Sequence, residues 1–432
     1  MINRKTMLWV FAACMYVMLI STVSWCAENI FYRGMRPMSM GGAFVAVGDD
    51  YNARNWNPAS LALVKSWDLT FEVTPRISDD IQKELIEASQ GKGTIGDAKD
   101  AIDASQNDKN PDANNASTKD LMKVIDDISS KLVEGGSDIY TGFSIRPWKF
   151  GMGVYINALT RAYIVKSAMS QTKFFGAYSI IDDKIAYNIT ADISPVVTQA
   201  FTIKELIPVP EFISDGDNTD RDLNLGINMK YLYRGKFNNE NDPLTILDIA
   251  SSASNNKKLV PTSTDEIPIG TGIGMDLGTI IKVNDYLNLG LNIQDIGVTK
   301  ITYKTKTKGN TTYDTNDEDF PTNLRIGTAL KPLKLMGMKD SKAMDMTLAF
   351  DLDNLNGGAR DNTDFADKTH IGLETKFTLW RDFLGLGFRV GENQGFPTYG
   401  LTVNGLWFFS AQYIMYGTDV TDYHTASVGV VF

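Results

Sequence analysis

His370 and His424 are the only imidazoles in this chain. A nucleophilic relay of the Ser-His-Asp kind needs one of them beside a nucleophile. Neither stands in a motif such as Gly-x-Ser-x-Gly. Acidic side chains crowd at Asp215, Asp217, Asp220 and Asp222. Oxygen-rich loops can hold Ca2+, but the order D-G-D-N-T-D-R-D departs from the D-x-[DN]-x-[DN]-G spacing that wraps the ion. A solvated acidic loop accounts for it, and Asp317-Glu318-Asp319 reads the same way. The sequence therefore predicts no enzyme, no cofactor and no metal site.

A second set of charges is more informative because of where it falls. Arg146, Lys230, Arg234, Arg325, Asp351, Asp353, Glu374, Lys376 and Arg389 occupy the polar positions of segments that alternate with a period of two. In 222–235, Leu223, Leu225, Ile227, Met229, Tyr231 and Tyr233 share one face, and Asn224, Gly226, Asn228, Lys230 and Arg234 share the other. Residues 285–295, 369–379 and 382–391 repeat the pattern. A soluble sandwich would bury the apolar face. A membrane barrel would turn it to lipid and keep the polar face for a lumen.

Three features favour the barrel. The segments run to about ten residues, the length a tilted membrane strand needs. Aromatics near their ends (Trp148, Tyr231, Tyr233, Tyr286, Trp380 and Tyr416) suit interface girdles. Short connections (147–150, 282–285, 379–382) alternate with long ones (300–320, 354–368). The expected fold is all-β, an antiparallel transmembrane barrel of about 14 strands over 67–432. Inward charges pair with each other or with a plug, or line a substrate path; pairing is the commoner role.

The remaining segments set the frame. Arg4 and Lys5 precede the apolar run Met7–Ile20, so residues 1–27 read as a signal peptide for export. A lipidated Cys26 is the rival reading, but Trp25 stands where a small residue is expected. Cys14 and Cys26 are the only cysteines, so no disulfide framework holds the exported chain. Its formal charge is −10, or −12 without the two signal-peptide cations, which disfavours a nucleic-acid partner. Residues 77–137 are polar and almost free of aromatics. Leu121, Val124, Ile125, Ile128 and Leu132 there have helical spacing, so a polar helical insert is expected between the first two strands.

Residues 33–63, RGMRPMSMGGAFVAVGDDYNARNWNPASLAL, stand apart. Gly41-Gly42 permits close backbone approach, and Asn57-Pro58 reads as a capped helix start. Arg36, Met40-Gly41-Gly42-Ala43, Asp49-Asp50 and Asn57-Pro58-Ala59 resemble the N-terminal signature of FadL-like outer-membrane proteins. That superfamily includes FadL-type transporters, PorV-like proteins of secretion systems and plasmid TraF-like proteins. The resemblance implies a bacterial outer-membrane barrel with a hatch, here 28–66, in its lumen. The final segment, Tyr423 to Phe432, is similar to the C-terminal signal that barrel-assembly machinery reads.

The resemblance implies passive transport of small hydrophobic compounds, such as long-chain fatty acids, with membrane lipid and the assembly machinery as partners. The alternative is an accessory barrel that holds a secretion or conjugation protein. The candidate site residues are Arg36, Gly41, Gly42, Asp49, Asp50, Asn57 and Pro58 in the hatch. Arg146, Lys230, Arg325, Asp351, Glu374 and Arg389 are the lumen candidates, and Phe432 the assembly signal.

Overall fold

The computed structural model describes residues 34–64, 67–78, 133–165, 184–204, 222–238, 244–245, 267–308, 311–313, 316–338, 343–357, 365–379, 383–405, 408–417 and 422–431. Most of the insert (79–132), Trp380, Asp215, Asp217, Asp220 and Phe432 lie outside them.

Fourteen staves close into an antiparallel barrel. They begin with β1 (Asp68–Ile77), β2 (Val133–Ile145), β3 (Phe150–Val165), β4 (Lys184–Lys204) and β5 (Asp222–Asn238). Then come β6 (Ile269–Lys282), β7 (Leu287–Gln294, resuming as Thr299–Lys304) and β8 (Glu318–Phe320, resuming as Asn323–Leu330). The last six are β9 (Met344–Leu352), β10 (Thr369–Leu379), β11 (Leu384–Asn393), β12 (Phe396–Gly405), β13 (Phe409–Gly417) and β14 (Asp422–Val431). β1 pairs with β14, Thr70 opposite Val431, and with β2, Leu69 opposite Phe143. Closure leaves no unpaired edge, the condition for a sheet in lipid.

Alternation fixes which face meets lipid. Phe71, Met152, Phe201, Met229, Ile273, Phe388 and Tyr413 point out and are exposed, while Glu72, Thr198, Asn228, Asp276, Arg389 and Gln412 on the same strands are buried. A polar inner face and an apolar outer belt are what a membrane barrel requires. Tyr231 and Tyr233 face outward with the belt. Tyr416, expected in a girdle, turns inward and stacks on Tyr423 at 5.0 Å. Its parity on β13 decides this, since a girdle residue must sit on the lipid face.

Short connections, such as 146–149 and 283–286, gather on the rim where the chain enters β1 and leaves β14. On the other rim β11 and β12 are joined by Gln394-Gly395 alone, both with positive φ, the geometry of a type I′ hairpin.

The strand bounds correct the sequence reading at the insert. β1 continues to Ile77 and β2 begins at Val133, so 77 and 133–137 belong to the barrel wall. Gly135-Gly136 hides the alternation because neither residue has a side chain. Glu134 and Asp138 on the inner face hold the extension by ion pairs to Arg161 and Arg76.

Two irregularities interrupt the wall. β4 carries Pro195, which has no N–H to donate. Its pairing to β5 runs to Ile193 opposite Tyr233 and resumes at Val196 opposite Lys230, skipping Ser194 and Pro195. β7 breaks at 295–298, where Asp295, Gly297 and Val298 have positive φ. A β-branched residue in that region is strained. Neighbouring bonds hold the kink: the Asp295 N–H donates to Asp276 Oδ1 at 3.0 Å, and the Ile296 N–H to the Met275 carbonyl at 2.9 Å.

Candidate functional site

Residues 34–64 form an inner segment packed on the inward faces of the strands. Short helices at Met35–Ser39 and Ala53–Trp56 and a 3-10 turn at Pro58–Ala62 make up its ordered parts. Asn57 caps the last: its Oδ1 accepts the Ala59 N–H at 3.1 Å. The same amide donates to carbonyls of Val45, Thr279 and Leu291, tying the segment to β6 and β7. Phe44 and Trp56 meet edge to face at 6.3 Å in its apolar centre.

Glycines on the wall make room for this segment. A Cβ on Gly391 would sit 2.4 Å from the Gly41 nitrogen, and one on Gly278 would sit 2.0 Å from Asn57 Oδ1. No side chain fits at those separations. The Gly41-Gly42 turn, with φ of 65° and 78°, lies against β10 and β11, and His370 Nδ1 is 2.8 Å from the Gly41 carbonyl.

Charge fixes the segment as firmly as shape does. Arg36 is the centre of the cluster. Its Nη1 reaches Asp49 Oδ1 at 2.5 Å and Asp50 Oδ2 at 2.8 Å. Its Nε and Nη2 take both oxygens of Glu374 on β10, the Nε bond measuring 2.8 Å. Arg389 on β11 adds a bond to Glu374 Oε1 at 2.7 Å. Bidentate pairs of this kind are strong and directional. Asp351 on β9 accepts the N–H groups of Phe44 and Val45 at 2.6 and 2.7 Å. Arg325 on β8 forks onto Asp353 and lies over Trp56 at 5.1 Å.

Burial alone would raise the Asp49 carboxyl, but the Arg36 guanidinium outweighs it and holds the group below its ordinary value of 3.8. A depressed folded-state pKa gives stability that is present above the unfolded value and lost as pH falls through the folded one. The contribution of Asp49 to docking of the inner segment should therefore be unchanged from pH 8 down to about 4 and weaken only in stronger acid. Proteolysis of the inner segment at each pH, by pepsin in acid and by trypsin near neutrality, measures this. Loosening already at pH 6 would contradict the assignment.

Beyond the sequence candidates, the structure adds residues that carry no distinctive motif. Arg54 is buried and donates to the Phe143 and Met152 carbonyls at 2.7 and 2.8 Å, over Gly142 and Gly151. Tyr51 bonds Glu72 on β1. Arg234, already on the polar face of 222–235 in the sequence, forks onto Asp192 and reaches Glu318 at 2.6 Å. Inward parity was the available signal for Asp192 and Asp276, since an acid on the lumen side of a barrel strand needs a partner.

Of the lumen candidates, Arg325, Asp351, Glu374 and Arg389 all meet the inner segment or its immediate partners. Lys230 faces a separate cavity beside it. Arg146 differs: it lies in the exposed turn Arg146–Trp148 between β2 and β3. Pro147 ends the strand there, which removes Arg146 from the alternating face. The two histidines take opposite sides, His370 buried inside and His424 bonded to Tyr413 on the outer surface. Among the described residues no group of three His, Cys, Asp or Glu side chains is placed to hold a metal.

Closed topology, apolar outer belt and polar inner face define a transmembrane β-barrel of the outer-membrane type, with its own N-terminal segment inside. No protein-family model and no curated protein matches the chain. Solved structures similar to it include the Ralstonia pickettii toluene transporter TbuX, at 13% identity over 92% of this chain and 97% of that one, TM-score 0.44. The Pseudomonas putida toluene transporter TodX is similar at 11% identity over 95% and 98%, TM-score 0.43. A Pseudomonas aeruginosa FadL homologue is similar at 12% identity over 95% and 98%, TM-score 0.25. The architecture itself rests on the strand registers given above.

Proposed function

We propose that this protein is a bacterial outer-membrane barrel that passes small hydrophobic compounds passively, with the inner segment as its hatch. The path we assign leaves through the wall between β4 and β5. One observation carries this reading: a cavity lined by Tyr155, Ser194, Val196 and Leu232 abuts the point where the β4–β5 ladder skips Ser194 and Pro195. A solute reaching that cavity faces an interrupted stretch of wall, with the bilayer on its far side. The Arg36 cluster and the glycine contacts oppose movement of the inner segment, so a sideways exit costs less than expelling it. Passive flow needs no cofactor.

Valine at Pro195 restores a backbone donor and a β-branched residue suited to a strand. One ladder bond contributes ~1 kcal/mol net, enough to lower an open population roughly fivefold. Uptake of a labelled hydrophobe by proteoliposomes should fall by about that factor while the barrel still folds. Deleting 28–60 should abolish or deregulate the same uptake. Uptake unchanged in both variants would count against the reading.

A further inference from the structure

The cavity beside Pro195 has chemistry that the transport reading does not use. Its volume is about 70 Å3. That is roughly half of an engineered cavity known to hold benzene, so an aromatic ring does not fit. Val196 and Leu232 give it an apolar side. Its polar side is Lys230, whose Nζ lies 2.8 Å from Asp276 Oδ1 and 2.8 Å from Asp295 Oδ1. An ammonium has three donors, so one N–H is left over for whatever occupies the space. Ser194 is 5% exposed and lines the same cavity.

Charge narrows the occupant further. Asp276 and Asp295 bring two negative charges against the single positive charge of Lys230. Asp276 is also tied to Asn228 at 3.2 Å, and Asp295 to Thr299 at 2.8 Å. A carboxylate entering here would meet a net negative site in a region of low dielectric, which is costly. An uncharged oxygen can accept from Lys230, and a hydroxyl can also donate to Ser194. The skipped ladder at Ser194 and Pro195 leaves a way for an attached chain to run outward past Tyr231, which is exposed on the lipid face.

We propose that this cavity receives the uncharged hydroxyl or carbonyl head of a linear amphiphile, with the apolar tail lying in the wall interruption at Pro195. The proposal rests on the transport reading and sharpens it: the preferred substrates are neutral alcohols or esters, and ionised fatty acids are rejected at this point.

Calorimetric titration of the purified full chain, held in an amphipathic polymer at pH 8, tests this with 1-hexanol, hexanoate and hexane. Hexanol should bind saturably, roughly tenfold or more tighter than either comparison compound. Leu232→Phe, which fills the cavity, should abolish that binding. Lys230→Met should lower hexanol to the level of hexane. Should that variant fail to fold because it strands two carboxylates, Ser194→Ala serves in its place, with a several-fold loss expected. Hexanoate binding as tightly as hexanol would overturn the proposal, as would hexanol binding that survives Leu232→Phe.

Flux separates this claim from the one beneath it. Selective hexanol binding without hydrophobe flux in proteoliposomes would remove the transport reading and leave the site. Flux with hexanol bound no tighter than hexane would remove the site and leave transport.

Discussion

Leucine in place of Gly391 is expected to lift the Met40-Gly41-Gly42 turn off the barrel wall. The reason is steric and specific. Even a Cβ at this position would lie 2.4 Å from the Gly41 nitrogen and 2.5 Å from the Met40 carbonyl carbon. Both are backbone atoms, so no rotamer change relieves the clash. The φ of +65° at Gly41 leaves that turn few other ways to lie. Overpacking a core costs ~1–3 kcal/mol when side chains can yield, and here they cannot. The loss falls on docking of the inner segment, because Gly391 keeps its ladder partners Gly372 and Thr398. Trypsin should then cut after Arg54, which is 1% exposed in the docked state. The cut should appear with the heat-modifiable mobility of a folded barrel retained. Protection equal to that of the wild type would show that the turn is not pressed on the wall.

Methionine at Arg36 should do comparable damage by charge. The guanidinium is buried and satisfies Glu374, Asp49 and Asp50 together. Removing it leaves three carboxylates with Arg389 and Lys376 as the remaining cations nearby. Breaking a buried pair by removing one partner costs ~3–5 kcal/mol, largely because the other charge is stranded. Denaturant titration should register a loss of that order in the stability of the docked segment. Glu374→Gln in the same chain should recover part of it, because one stranded charge is then gone. If the single variant were as stable as the wild type, the cluster would be an incidental surface network.

Much of the barrel is legible in the sequence because a period of two survives wherever both faces keep side chains of consistent type. The segment 222–235 is such a case, and its outward and inward residues fall as the alternation requires. The pattern fails at Gly135-Gly136, where there is no side chain to read. It fails again at 295–298, where the kink spends three residues in left-handed conformations and shifts the parity. Tyr416 departs from the girdle expectation for a different reason: aromatic type suggests an interface, but parity, not type, decides the face.

The candidate site was legible in part. Arg36, Asp49, Asp50 and Asn57 stand out in one short segment. Glu374, the partner of Arg36, lies more than three hundred residues away, and local spacing carries no information about that contact. Arg54 and Tyr51 look ordinary in sequence. They acquire roles only when closure brings β1, β2 and β3 against the segment that precedes them.

We propose that residues 34–64 occupy the barrel interior and block it. Conductance of single purified wild-type molecules in a planar lipid bilayer tests this most directly. No steady open pore is expected for the wild type, and a large, long-lived conductance is expected once Gly391→Leu or Arg36→Met has released the segment. A wild-type barrel that conducts steadily, and no less than those variants, would contradict it.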